Sequence, residues 1–166
     1  MHARSQFLLL LITATTAACS RGSAPQAASS ATDEAAIRSM GPSYTAAVTA
    51  GDFQRVLSFY TDDVVMMPPG QPRTRGKEAY AAWARPYFDQ FSTEESISFD
   101  EIRIAGDWAV ATYTWTLSST PKAGGPSNRA QGKGMGLLQR SADGSWRWSQ
   151  TIWNMDQRLA PPPKTP

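Results

Sequence analysis

Apolar positions recur at helical spacing in the first part of the folded region and at alternate positions in its last part. Ile37, Met40, Tyr44 and Val48 form one face of a helix. Asp33 and Glu34 fall in its expected first turn, where the macrodipole favours carboxylates. Gly41-Pro42 predicts a kink or break, and Gly51 predicts the helix end. Asp52 then caps a short helix bearing Phe53, Val56, Leu57 and Tyr60. Thr61-Asp62-Asp63 reads as a turn into a strand over residues 64–67, stopped by Pro68-Pro69-Gly70. A third helix follows Gly76, with Tyr80, Trp83 and Ala84 on one side and a kink at Pro86.

From Ile97 the period changes to two. Ile97 and Phe99 alternate, then Ile102 and Ile104, with the phase broken at Asp100-Glu101 as a bulge would break it. A strand over residues 108–118 follows, then a long mobile loop over residues 119–132. Residues 133–140 and 146–155 are the last two strands, joined by the hairpin signal "SADGS". Helices followed by antiparallel strands define an α+β plan, with helices on one face of a curved sheet.

The 166 residues suffice for one domain, and 41% are hydrophobic, enough for a buried core. The formal charge of +2 and the lack of any basic run exclude nucleic acid as the expected partner. Residues 1–18 read as a secretory signal, with a basic start, an apolar run and a small-residue end. Thr16-Ala17-Ala18-Cys19 resembles a bacterial lipobox, which implies lipidation of Cys19 and attachment to a membrane through it. Ser20 after the cysteine implies an outer-membrane lipoprotein facing the periplasm. Residues 19–32 are expected to be a flexible tether, 33–157 the domain and 158–166 a Pro-rich tail.

Cleavage before Cys19 would remove His2, the only histidine, and lipidation would consume the only thiol. Histidine- and cysteine-based nucleophile systems and metal sites are then excluded. No cofactor and no metal are expected. Asp, Glu, Tyr, Lys and Arg remain for proton transfer.

The stretches "SYTAAVTAGD", "FYTDDVVMMPPG", "RGKEAYAAW", "GDWAV", "DGSWRW" and "WNMD" resemble, in their order, the SnoaL-like and ketosteroid-isomerase-like branch of the nuclear-transport-factor-2-like superfamily. The resemblance implies a cone-shaped α+β domain, commonly a homodimer through the outer sheet face. It includes isomerases, dehydratases, cyclases and non-catalytic binding modules. Compared by residue, the ketosteroid isomerase pattern puts its oxyanion-binding tyrosine at Tyr44. Its catalytic aspartate falls on Pro68 and its second acid on Gly136. The same geometry implies a pocket wall of Tyr44, Met66, Pro68, Trp83, Ala111, Tyr113, Trp115, Leu138, Thr151 and Trp153.

Strand parity puts Ala111, Tyr113 and Trp115 on one face, and Thr151 and Trp153 on one face. Trp146 and Trp148 fall on the face opposite Trp153. Such a wall suits an apolar or aromatic small molecule, although the same tryptophans could fill an ordinary core. Asp62 and Asp63 read as wet turn carboxylates, and Arg103 and Arg147 as solvated or paired. Asp156 is either a base at the pocket rim or a strand-end cap. Two readings stand: a non-catalytic binding module for an apolar molecule or a partner, or an isomerase, dehydratase or cyclase using Tyr44 with Asp156 or another acid.

Overall fold

The computed structural model describes residues 24–156. Helix α1 (Ala24–Thr49) is followed by α2 (Phe53–Ser58), β1 (Tyr60–Met67), β2 (Thr74–Arg75) and α3 (Lys77–Gln90). Four long strands complete the chain: β3 (Phe91–Ala105), β4 (Trp108–Pro121), β5 (Asn128–Arg140) and β6 (Trp146–Met155). All six strands form one sheet in the order β2-β1-β6-β5-β4-β3. Every pairing is antiparallel except β1 with β6. The expected α+β plan, helices against one face of a mostly antiparallel sheet, is the observed one.

Helix α1 packs on β3 through Ile37, Met40, Tyr44 and Val48, all buried. It runs unbroken through Gly41-Pro42, against the expected break. Gly41 faces β3 so closely that a Cβ would lie 2.8 Å from the Ile97 carbonyl oxygen. Its role is close approach. The helix also begins at Ala24, so residues 24–32 are helical rather than a tether, and Asp33 and Glu34 lie in its interior. Proline at the second position and the alanines after it suit a helix start.

Gly51, at φ 68°, ends α1, and the Asp52 carboxylate accepts from the Arg55 N–H to cap α2. Pro86 lies within α3, which continues to Gln90. Thr61, Asp62 and Asp63 belong to β1 rather than to a turn. The pairing jumps from Tyr60–Trp148 to Val65–Gln150, so this stretch bulges out of the ladder. The bulge at Asp100 is where the broken period put it. Strands β3 and β5 are longer than expected, and only residues 122–127 connect β4 to β5. The expected long loop pairs instead, from Asn128 with Ser119 onward.

A second bulge corrects the tryptophan assignment. Leu137 pairs with Gln150 and Leu138 with Trp148, leaving Ser149 as an extra residue on β6. That single insertion inverts the phase, so Trp146 and Trp148 join Thr151 and Trp153 on the inner face. Both tryptophans are buried.

The inner face of β5 is lined by Gly132, Gly134 and Gly136. A Cβ on Gly132 would stand 2.7 Å from the Trp115 ring, and one on Gly134 or Gly136 would strike Tyr113 or Trp148. Rings from β4 and β6 therefore lie over bare β5 backbone.

Candidate functional site: an aromatic hollow with one carboxyl

Between α1, α3 and the inner face of the sheet lies a hollow of ≈ 360 Å³. Tyr44, Met66, Pro68, Trp83, Tyr113, Trp115, Thr151 and Trp153 all line it. Ala111 and Leu138 do not; both are fully buried in the core. Both lie toward the closed end of the sheet, where Ala109, Ala111 and Leu138 pack without a gap. Trp83 stands in the wall as expected, 41% exposed, with its ring 6.3 Å from that of Trp153.

The hydroxyl of Tyr60 donates to that of Tyr44 over 3.3 Å, and the Tyr80 ring lies 4.8 Å from that of Tyr60. Tyr113 shares a 2.7 Å hydrogen bond with Thr151. Burial pushes the Tyr80 and Tyr113 phenols up to about 12, and Tyr44 and Tyr60 also well above their ordinary value. These hydroxyls stay protonated at any physiological pH and can donate. Three further polar atoms in the wall have no hydrogen-bond partner: Tyr87 Oη, Thr93 Oγ1 and Trp115 Nε1.

Glu95 is the residue that sequence reasoning missed. Among the described residues it is the only one in the wall with a carboxyl group. It is partly exposed, lining both the hollow and an open groove on its other side, but protein surrounds it, and burial lifts its pKa to about 7. No hydrogen bond or countercharge contributes to that shift. The signal was present: Ile97 and Phe99 had set an inward parity, and two steps back along β3 is Glu95. The strand had been started too late.

Asp156 lies elsewhere. It pairs with Lys133 at 2.5 Å and borders an open groove on the far side of Glu95 rather than the aromatic hollow. Asp62 is exposed and pairs with Lys77 at 2.7 Å, which holds its carboxyl below the usual range. Arg103 pairs with Glu101 and Arg147 with Asp143. The Gly136 position, where the resemblance put a second acid, is covered by the Trp148 ring. No cluster of three or more potential metal-binding His, Cys, Asp or Glu side chains occurs among the described residues.

A helix-backed curved sheet closing on a lined hollow defines the cone-shaped α+β class to which nuclear-transport-factor-2-like proteins belong. Within it, the SnoaL-like domain family matches residues 43–148, and the chain belongs to that family. A conserved protein from Planctomyces limnophilus DSM 3776 is 29% identical, over 75% of this chain and 98% of that one, with a TM-score of 0.69. A ketosteroid isomerase-like protein from Erwinia carotovora atroseptica SCRI1043 is 28% identical, over 75% and 94% of the two chains, with a TM-score of 0.63. An NTF2-like protein of cystatin-like fold from Novosphingobium aromaticivorans shares the fold at 15% identity, over 86% and 94%, with a TM-score of 0.67. No curated protein sequence matches the chain.

Proposed function

We propose that this SnoaL-like domain binds one small, flat, largely apolar molecule in the hollow, with Glu95 meeting a polar group on it. The observation that carries this reading is an aromatic hollow of ≈ 360 Å³ with Trp83, Trp115 and Trp153 in its wall. A space of that size with few polar groups suits a small organic ligand. An apolar aromatic ligand should change tryptophan fluorescence saturably, and Trp153→Ala should weaken the response more than Trp108→Ala, whose ring lies on the outer face. Equal effects from the two variants, or no saturable response across a varied ligand set, would count against the reading.

Glu95 favours a second reading, a proton-transfer enzyme of the isomerase, dehydratase or cyclase kind. A carboxyl titrating near 7 can both take and return a proton at physiological pH. Tyr44, accepting the Tyr60 proton, can turn its own hydroxyl proton toward a developing oxyanion. Glu95 replaces Asp156 as the acid of this scheme. If it holds, Glu95→Gln should cost about 10²–10⁴ in any turnover found; an unchanged rate would remove Glu95 from the chemistry. Ketosteroid isomerase turnover itself is not expected, since Pro68 and Gly136 stand at two of its acid positions.

The envelope setting is part of the proposal. Cys19, outside the described residues, would carry the lipid that holds the domain on the periplasmic side of the outer membrane. Cys19→Ala should release the protein from the membrane fraction, and retention would argue against the anchor. A homodimer through the outer sheet face is supported by the exposed Val110, Met135 and Ile152, with Met135 and Ile152 directly paired across β5 and β6. Sedimentation of wild type and Met135→Lys should show a dimer and a monomer; a monomeric wild type sinks this part.

A further inference from the structure

We propose that the hollow is a receptor for an organic cation, a small amine or quaternary ammonium on an apolar body, whose charge is held between Glu95 and the surrounding ring faces. This rests on the reading that the hollow receives a small molecule and names the class. Among the described residues the wall contains no lysine, arginine or histidine, and Glu95 carries its only formal charge. The rest is aromatic, aliphatic or neutral polar, and the rings of Tyr44, Tyr60, Tyr80, Tyr113 and Trp115 come from four different elements.

Charge decides among ligand classes. An anion would face Glu95 with nothing to offset it. A neutral ligand would leave Glu95 without a partner inside the hollow, and an unpaired carboxylate enclosed by protein favours its protonated form. A cation resolves both problems. It pairs Glu95, and the ring quadrupoles attract it.

The groups facing Glu95 keep this interpretable across pH. Tyr44 from α1, Tyr60 from β1, Tyr80 from α3 and Tyr113 from β4 all interact with it electrostatically, and all are held protonated by burial. On the groove side stand Glu94, Arg129 and Asp156, whose charges do not relieve its burial. Strand β6 contributes Trp148, Thr151 and Trp153, none of which titrates in this range. Between pH 5 and 9, Glu95 is therefore the wall residue whose charge changes.

The test uses two probes of one shape, phenyltrimethylammonium and tert-butylbenzene, titrated into the full domain by tryptophan fluorescence. At pH 8 the cation should bind about tenfold tighter or more. That preference should shrink as pH falls from 8 to 5 and Glu95 takes up its proton. Glu95→Gln should remove most of the preference, leaving the share the ring faces supply, and keep the affinity for tert-butylbenzene within about threefold. Equal binding of the two probes to the wild type overturns the cation assignment and leaves the apolar-ligand reading standing. A preference undiminished by Glu95→Gln overturns the role of Glu95, and binding of neither probe overturns the cation assignment together with the reading beneath it. Circular dichroism of the variant keeps a folding failure from passing as any of these.

Discussion

Two carboxylates sit at opposite ends of the molecule, and their surroundings drive them in opposite directions. Asp33, near the closed end, receives two hydrogen bonds from the Arg140 guanidinium, at 2.6 and 2.5 Å. Arg140 also donates to Asp107 at 3.1 Å and lies 4.5 Å over the Trp146 ring. This bracket ties α1 to the β5–β6 hairpin and the β3–β4 turn, and it holds the Asp33 carboxyl below its usual value. Glu95, at the open end, has tyrosines around it and no cation, and is pushed up to about 7. Glu95 is the more deeply enclosed by protein, and it lacks the partner that Asp33 has. A satisfied carboxylate reads as architecture, whereas an unsatisfied one in a hollow marks a site.

The comparison can be broken most forcefully at Glu95. Its folded pKa of about 7 lies above the ordinary glutamate value of 4.5, so the native state holds the extra proton between those values. Stability should therefore fall as pH rises from about 4.5 to about 7 and level off above. Glu95→Gln should raise stability at pH 8 by up to about 3 kcal/mol and leave it unchanged at pH 4. Urea melts at the two pH values check this; an equal effect at both would mean that Glu95 already has a partner.

The opposite sign is expected at Asp33. Its folded pKa is lowered, so its contribution is present above about 3.8 and disappears as pH falls through the folded value. Asp33→Asn should cost about 1–2 kcal/mol at pH 7, since the pair is bidentate but still partly wet. A variant as stable as wild type would mean that Arg140 is held by Asp107 and Trp146 alone.

Tyr60→Phe should have a smaller effect, about 0.5–1.5 kcal/mol in stability, because it removes one long neutral hydrogen bond to Tyr44. If the hollow is a proton-transfer site, the same change should reduce turnover more than ligand affinity. Asp62→Asn sets the floor. Its carboxylate is 96% exposed, and loss of the Lys77 pair should leave the melting temperature unchanged within error.

Much of the fold was legible because periodicity reports burial directly. The α1 face, the Asp52 cap and the Asp100 bulge all followed from residue pattern. What escaped detection depended on tertiary partners. Helix α1 passes through Gly41-Pro42 because β3 requires the close approach that Gly41 permits. The phase of Trp146 and Trp148 turned on one inserted serine, which leaves no local signal in "WRWSQTIW". Most of the wall could be named from family resemblance and parity, but Glu95 required the true start of β3. The polar segment around it, "STEES", looks like loop because its alternate residues face solvent and the hollow rather than a packed core.

The glycine row on β5 separates the dimensions of the hollow from the integrity of the sheet. Where rings rest on bare backbone, shortening a ring changes volume without removing a strand contact or altering a ladder hydrogen bond. Descendants of this chain could thus acquire new ligand shapes by substitutions at Tyr113 and Trp115 alone. Substitutions in the row itself would be purged, because any side chain there collides with a ring already in place. Variation within close relatives should therefore concentrate on the ring positions and spare Gly132, Gly134 and Gly136.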